Sequence, residues 1–167
     1  MKLDNKIEHN KIEYKASQVL EAYNIIKPVV DVSKIAKGEG IEIKEISMPK
    51  GYHNVAGFYE KDKKIIYIEK TDSPQRKLFS IAHELGHVFL NHQHASVLYR
   101  ITRGDDGLQY HEKESEANSF AAHLLIPEFM LRDYMRRYNL SKSDYEVLAD
   151  IFGVPITSMR YTLEYLK

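Results

Sequence analysis

The residues best suited to chemistry in this chain fall in one short segment, Ile81-Ala82-His83-Glu84-Leu85-Gly86-His87. Its apolar neighbours recur with helical period. Two histidines four apart on a helix lie one turn apart on one face, so both imidazoles can reach a single ion. That is zinc-ligand spacing. In the chemistry of an HExxH helix, the glutamate after the first histidine takes a proton from water while the metal polarises a carbonyl. The pattern points to a zinc-dependent peptidase, with His83 and His87 as ligands and Glu84 as general base. Histidines satisfied within an apolar core are the plainer reading, and the surroundings argue against it. Glu84 lies among Ile81, Ala82, Leu85, Val88 and Phe89, where a carboxylate is costly without a partner. Gly86 costs a helix about 1 kcal/mol relative to alanine, which calls for something that approaches the helix closely.

Composition narrows the ligand search. The chain has 167 residues, 24 Lys+Arg, 24 Asp+Glu and no cysteine. Without thiolates, histidine and carboxylate are the strong ligands that remain. Balanced charge provides no general field for nucleic acid or anionic lipid, so no direct nucleic-acid partner is expected. No apolar run approaches the roughly 20 residues of a membrane span. Met1-Lys2-Leu3-Asp4-Asn5-Lys6 lacks the apolar core of a signal peptide, which makes a cytoplasmic protein without a membrane partner the expectation. The length suits one domain over 1–167, with residues 1–10 polar enough to fray and 141–167 forming a C-terminal helical segment.

The elements that must position the motif can be read from periodicity. Ile12, Ala16, Val19, Tyr23 and Ile26 predict an amphipathic helix over 11–27, ended by Pro28. A short helix follows, capped by Asp31 and ended by Gly38 and Gly40. Ile41 to Lys44, Val55 to Tyr59 and Ile65 to Ile68 read as strands, the last two joined by the polar turn Glu60 to Lys64. Three antiparallel strands are expected. Ser73-Pro74 opens the HExxH helix, which runs to about Asn91. Residues 95–110 carry turn signals and read as a loop near the site. Glu112 to Ile126 is helical again, and further helices are expected over 127–138, 141–152 and 156–166. The fold class is therefore α+β: a small three-stranded antiparallel sheet packed with the HExxH helix, a glutamate-bearing helix and C-terminal helices.

A catalytic zinc needs a third protein ligand. The metzincin pattern would require glycine at 90 and histidine at 93, but the chain has Leu90 and Gln93. His92 and His94, if the helix continues, fall off the ligand face and read as surface histidines at a helix end. The next helix offers Glu112, Glu114 and Glu116. Glu114 lies one turn before Ala117 and Asn118 and can share their inward face, with Asn118 placed to hydrogen-bond a ligand. Glu116 is the rival ligand, while Glu112 suits a surface charge at a helix start. An oxyanion donor is not identifiable; Tyr110 and His111 read as structural or surface residues.

Ser80 to His87, followed by Glu114-Ser115-Glu116-Ala117-Asn118-Ser119-Phe120-Ala121-Ala122-His123-Leu124-Leu125-Ile126-Pro127, resembles the ImmA/IrrE family of zinc metallopeptidases. The family pattern resembles AHELGH followed by E-x-E-A-N-x-F-A-x-x-L-L-x-P, and both blocks match in order and spacing. The resemblance covers roughly 30–166 and implies Glu114 as the third ligand. It also implies a thermolysin-like active helix and limited proteolysis of a helix-turn-helix repressor of a mobile element or stress response. Asn91 departs from the histidine that many relatives carry there, and the extra helix-turn-helix or sensor domains of longer members are not expected. The alternative is a DNA-binding or metal-sensing regulator without proteolytic turnover, since Leu148 to Pro155 with Ser158 to Tyr161 has helix-turn-helix spacing. Residues 156–167 supply only Arg160 and Lys167 as cations, and Met159, Leu163 and Leu166 fit a core face. A substrate could pair with an exposed hairpin strand, either Ala56 to Tyr59 or Ile65 to Ile68.

Overall fold

The structure is a computed structural model that describes the backbone over 2–49, 55–92 and 107–166, and side chains over 10–49, 55–92 and 112–166. Helix α1 (Lys2–Ala22) and the short α2 (Val32–Gly38) precede strands β1 (Glu42–Ile46), β2 (Gly57–Glu60) and β3 (Ile65–Glu69). Helix α3 (Pro74–Phe89) carries the HExxH motif, and α4 (Gly107–Leu125) carries the glutamates. Helices α5 (Glu128–Arg137), α6 (Tyr145–Phe152) and α7 (Ile156–Tyr165) follow. No helix among the described residues is long and apolar enough to cross a membrane.

The α+β class is as expected, with one difference in strand pairing. The sheet order is β1-β3-β2; β2 pairs antiparallel with β3, whereas β1 pairs parallel with β3. Successive strands still alternate in direction. Because β3 enters between the other two, the first and third strands become parallel neighbours. Alternation of side chains marks strands but carries no information about this order. The central position of β3 agrees with its composition: Ile66 and Ile68 join the core, and Ile65 is buried as well.

Helix α3 packs against the sheet on one flank and chiefly against α4 on the other, and α1 also covers α4. The shared core includes Ile12, Ala16 and Val19 of α1, Ala82 and Leu85 of α3, and Phe120, Ala121 and Leu124 of α4. Ser73 caps α3 by accepting from the Arg76 N–H at 3.3 Å, with Pro74 in the first turn, and Asp31 caps α2 through the Lys34 N–H at 2.9 Å.

Most described helices end in one type of turn, in which a residue in the left-handed region reverses the chain and the next N–H returns to the helix. Asn24 (φ 52), Gly40 (φ 70), Asn91 (φ 53), Asn139 (φ 51) and Gly153 (φ 66) hold these positions after α1, α2, α3, α5 and α6. Asn24 therefore stops α1 before Pro28, folding Ile25 back so that its N–H reaches the Leu20 carbonyl at 2.9 Å. The expected loop over 95–110 lies mostly outside the described residues; its end, from Gly107, is already α4. The polar start of that helix has no apolar period by which to detect it.

Candidate metal centre

Gly86 sets the distance between α3 and α4. A Cβ there would lie 3.1 Å from the Ala117 carbonyl oxygen and 3.2 Å from Ala117 Cα and Phe120 Cδ1. The close approach expected from its sequence position is that of α4. It brings Glu114, one turn before Ala117, to the face that bears the motif histidines.

There the ligand atoms converge. His83 Nε2 and His87 Nε2 are 3.1 Å apart; Glu114 Oε2 lies 3.2 Å from the former and Oε1 3.3 Å from the latter. His83, His87 and Glu114 form a group that could hold a metal ion. Zinc bonds of about 2.0–2.1 Å in tetrahedral array imply edges of about 3.3–3.4 Å between ligand atoms, so this triangle fits. The tautomers fit as well. His83 Nδ1 bonds Asn118 Oδ1 at 2.9 Å, and an amide oxygen accepts, so Nδ1 keeps a proton and Nε2 is the atom that a metal would take, on losing any proton it shares with Glu114.

Glu84 lies on the cleft side of α3, only 2% exposed, and its Oε2 has no hydrogen-bond partner among the described residues. A buried carboxylate oxygen is costly without a partner, so its lack of one among the described residues makes Glu84 a candidate for a site.

Charge distribution follows from the same crowding. Burial opposes protonation of His83, but the Glu114 hydrogen bond and the charges of Glu84 and Glu114 outweigh it and raise its pKa. Burial would raise the Glu114 pKa; hydrogen bonds to His83 and His87 overcome it and hold the carboxyl well below the usual range. The group therefore favours an ionised Glu114 beside its two imidazoles, the form in which a carboxylate binds metal.

Glu116, the rival ligand, is turned elsewhere: its Oε2 meets His92 Nε2 at 2.7 Å. His92 does not behave as the expected surface histidine, since its side chain is 7% exposed and its Nδ1 lies 2.9 Å from His87 Nδ1. The expectation failed because it continued the helix, whereas Asn91 reverses the chain and folds His92 onto α3. An asparagine after the last apolar turn was the signal available. His94, Tyr110 and His111 lie outside the residues whose side chains are described.

The group opens on a cleft of about 890 Å³, whose walls include Ala56 and Gly57 at the start of β2, Arg76 and Phe79 of α3, and Pro155 and Thr157 at the start of α7. Gly57 lets β2 lie close to β3 and α3, since a Cβ would fall 3.0 Å from the Tyr67 carbonyl oxygen and 3.7 Å from Ser80 Cβ. Of the two strands considered for substrate pairing, β3 is paired on both sides, and only β2 has an edge without a partner strand among the described residues. The segment with helix-turn-helix spacing supplies the far wall of the cleft through Asp150 and residues 154–158, while Met159 and Leu163 are buried in the core.

Known proteins resemble this chain in sequence or in fold. A protein of Bacillus phage phi105, described as uncharacterized immunity region protein 2, is 34% identical over 85 residues, covering 50% of this chain and 52% of that relative. A Mycobacterium tuberculosis transcriptional regulator of solved structure is similar with a TM-score of 0.73 at 17% identity, over 94% of this chain and 56% of its own, a likeness of fold. The chain thus spans about half the length of each. The family model described as IrrE N-terminal-like domain, Peptidase M78, matches residues 36–164. That stretch runs from α2 through the motif helix and the glutamate helix into α7, most of the range over which the two sequence blocks resemble ImmA/IrrE, and the chain belongs to this family.

Proposed function

We propose that the chain is a zinc-dependent endopeptidase that makes a limited cut in a protein substrate. The observation that carries this reading is the triangle of His83, His87 and Glu114, with edges of 3.1, 3.2 and 3.3 Å, beside a Glu84 oxygen that has no partner among the described residues. His83, His87 and Glu114 hold the ion, and Asn118 orients His83. When bound, zinc supplies Lewis acidity, which acidifies water and polarises the scissile carbonyl. Glu84 accepts the proton of the attacking water and delivers it to the leaving amine nitrogen. The edge of β2 away from β3, unpaired among the described residues, offers backbone groups to an extended substrate segment, one way a peptide adds to a sheet. Such binding suits a protein with one exposed, extended stretch.

The proposed substrate is a helix-turn-helix repressor. This rests on the resemblance to ImmA/IrrE proteins and agrees with the description of the phage relative as an immunity region protein. The balance of 24 cationic against 24 acidic residues gives no net field for DNA, so an effect on transcription would pass through loss of the repressor.

The test is incubation of the zinc-loaded chain with the repressor encoded beside it, read by mass spectrometry for a single cut, with a DNA-shift assay at physiological salt in parallel. A cut that disappears on chelation and returns with zinc is expected. Specific DNA binding without any cut, in protein that retains zinc, would overturn the peptidase reading in favour of a regulator.

A further inference from the structure

The turn that ends α3 places a histidine where the fold elsewhere places an aliphatic residue. Asn91 N–H reaches the Val88 carbonyl at 3.1 Å and His92 N–H reaches the His87 carbonyl at 3.0 Å, the paired bonds of a left-handed helix stop. In the matching turns the residue folded back is Ile25, Ile41, Leu140 or Val154, and each packs in or against the core. That seat normally supplies an apolar contact to the last helical turn. At α3 it holds His92, whose side chain is 7% exposed.

Burying an imidazole there costs free energy unless both nitrogens are bonded, and both are. Nε2 lies 2.7 Å from Glu116 Oε2, and Nδ1 lies 2.9 Å from His87 Nδ1. The direction of the chain follows from the end that has no choice. A carboxylate only accepts, so His92 donates from Nε2; its Nδ1 then offers a lone pair, and His87 donates from Nδ1. What remains on His87 is Nε2, which faces His83 Nε2 at 3.1 Å and Glu114 Oε1 at 3.3 Å; a proton there is shared with Glu114, and a metal that displaces it meets the Nε2 lone pair. Asn118 does the same for His83 in a single step.

We propose that His92 and Glu116 are positioning residues, a hydrogen-bonded relay that keeps a proton on His87 Nδ1 and so makes Nε2 the atom that His87 offers to a metal. The proposal rests on the reading of His87 as a zinc ligand. It also gives Glu116 a task distinct from that of Glu114, although both lie on one helix.

The experiment compares His92→Phe, which keeps a ring but has no lone pair, with His92→Asn, whose amide oxygen can stand where Nδ1 stood. Two readouts are taken: the His87 tautomer by ¹⁵N imidazole NMR of the zinc-free protein, and zinc affinity by competition with a chromophoric chelator. In the native protein His87 should carry a proton on Nδ1. The Phe variant should shift toward Nε2–H and lose about 10–100-fold in zinc affinity, the usual cost of losing such a partner, while the Asn variant keeps most of both. Glu116→Ala removes a side chain that is 30% exposed. Its expected loss is smaller, roughly threefold, and it carries the same test if the Phe replacement does not fold.

An unchanged His87 tautomer with unchanged affinity in the Phe variant would overturn the relay. Equal losses in the Phe and Asn variants would also overturn it, by showing that packing rather than the lone pair matters. Because the tautomer is read without zinc, it judges the relay even if metal analysis shows that zinc binds elsewhere.

Discussion

Gly86→Ala tests whether the gap between α3 and α4 is built for the ligand group. Two effects oppose each other. Alanine favours an exposed helix interior by about 1 kcal/mol over glycine. Here, however, the added Cβ would sit 3.1 Å from the Ala117 carbonyl oxygen and 3.2 Å from its Cα, both backbone atoms that no rotamer change can remove. Ordinary contact begins at about 3.4 Å, so the helices must separate by a few tenths of an ångström. Overpacking of this kind costs about 1–3 kcal/mol. The net expectation is between no change and a loss of about 2 kcal/mol, or up to about 8 °C in Tm for a chain of this size.

The effect on metal binding follows from which edges cross the gap. The 3.1 Å edge between His83 and His87 lies within α3 and is untouched, whereas the 3.2 and 3.3 Å edges to Glu114 cross to α4. Closing around the ion must restore the strain that separation relieved. Affinity should therefore fall by up to that strain, about 5–150-fold for about 1–3 kcal/mol. The assay is chelator competition, with thermal unfolding of the zinc-free protein alongside. A variant stabilised by about 1 kcal/mol, with zinc affinity within about twofold of the native chain, would show that the helices have room to spare and would refute the reasoning.

Glu84→Gln should retain zinc and the fold while abolishing cleavage, because the amide keeps the shape and cannot take a proton; turnover in that variant would remove Glu84 from the base role. Glu114→Ala should weaken zinc binding more than Glu116→Ala in metal analysis, since only Glu114 reaches both histidine Nε2 atoms. The reverse order would transfer the ligand role to Glu116. Glu69 accepts from the Met48 N–H at 2.8 Å and the Thr71 N–H at 3.0 Å, and these bonds lower its pKa from 4.5 to about 2. A depressed carboxylate adds stability above its unfolded value, and that stability is lost as pH falls through the folded one. Native Tm should therefore fall more than that of Glu69→Gln between about pH 4.5 and 2; parallel curves would deny the contribution.

The sequence was most readable where one residue had one physical use. Ser73-Pro74 could only open a helix, Gly86 asked for a close neighbour and Ala117 supplied it, and two motif blocks identified the family before any coordinate. It was least readable where the answer depended on geometry between elements. The parallel pairing of β1 with β3 is set by insertion of β3 into the middle of the sheet, and neither strand's alternation encodes it. The cleft wall formed by residues 154–158 likewise depends on where α7 begins in space.

His92 falls between these cases. Its distance along α3 puts it off the ligand face only if the helix continues, and a single residue, Asn91 at φ 53, decides that it does not. Asparagine tolerates the left-handed region better than most side chains, so it serves as a helix stop as well as a polar residue. Read as a stop, Asn91 moves the next residue from solvent to the seat against His87, and a histidine in an aliphatic seat demands two hydrogen-bond partners. Glu116 and His87 are those partners. The identity of one turn residue thus carries the argument from local backbone geometry to the orientation of a candidate metal ligand.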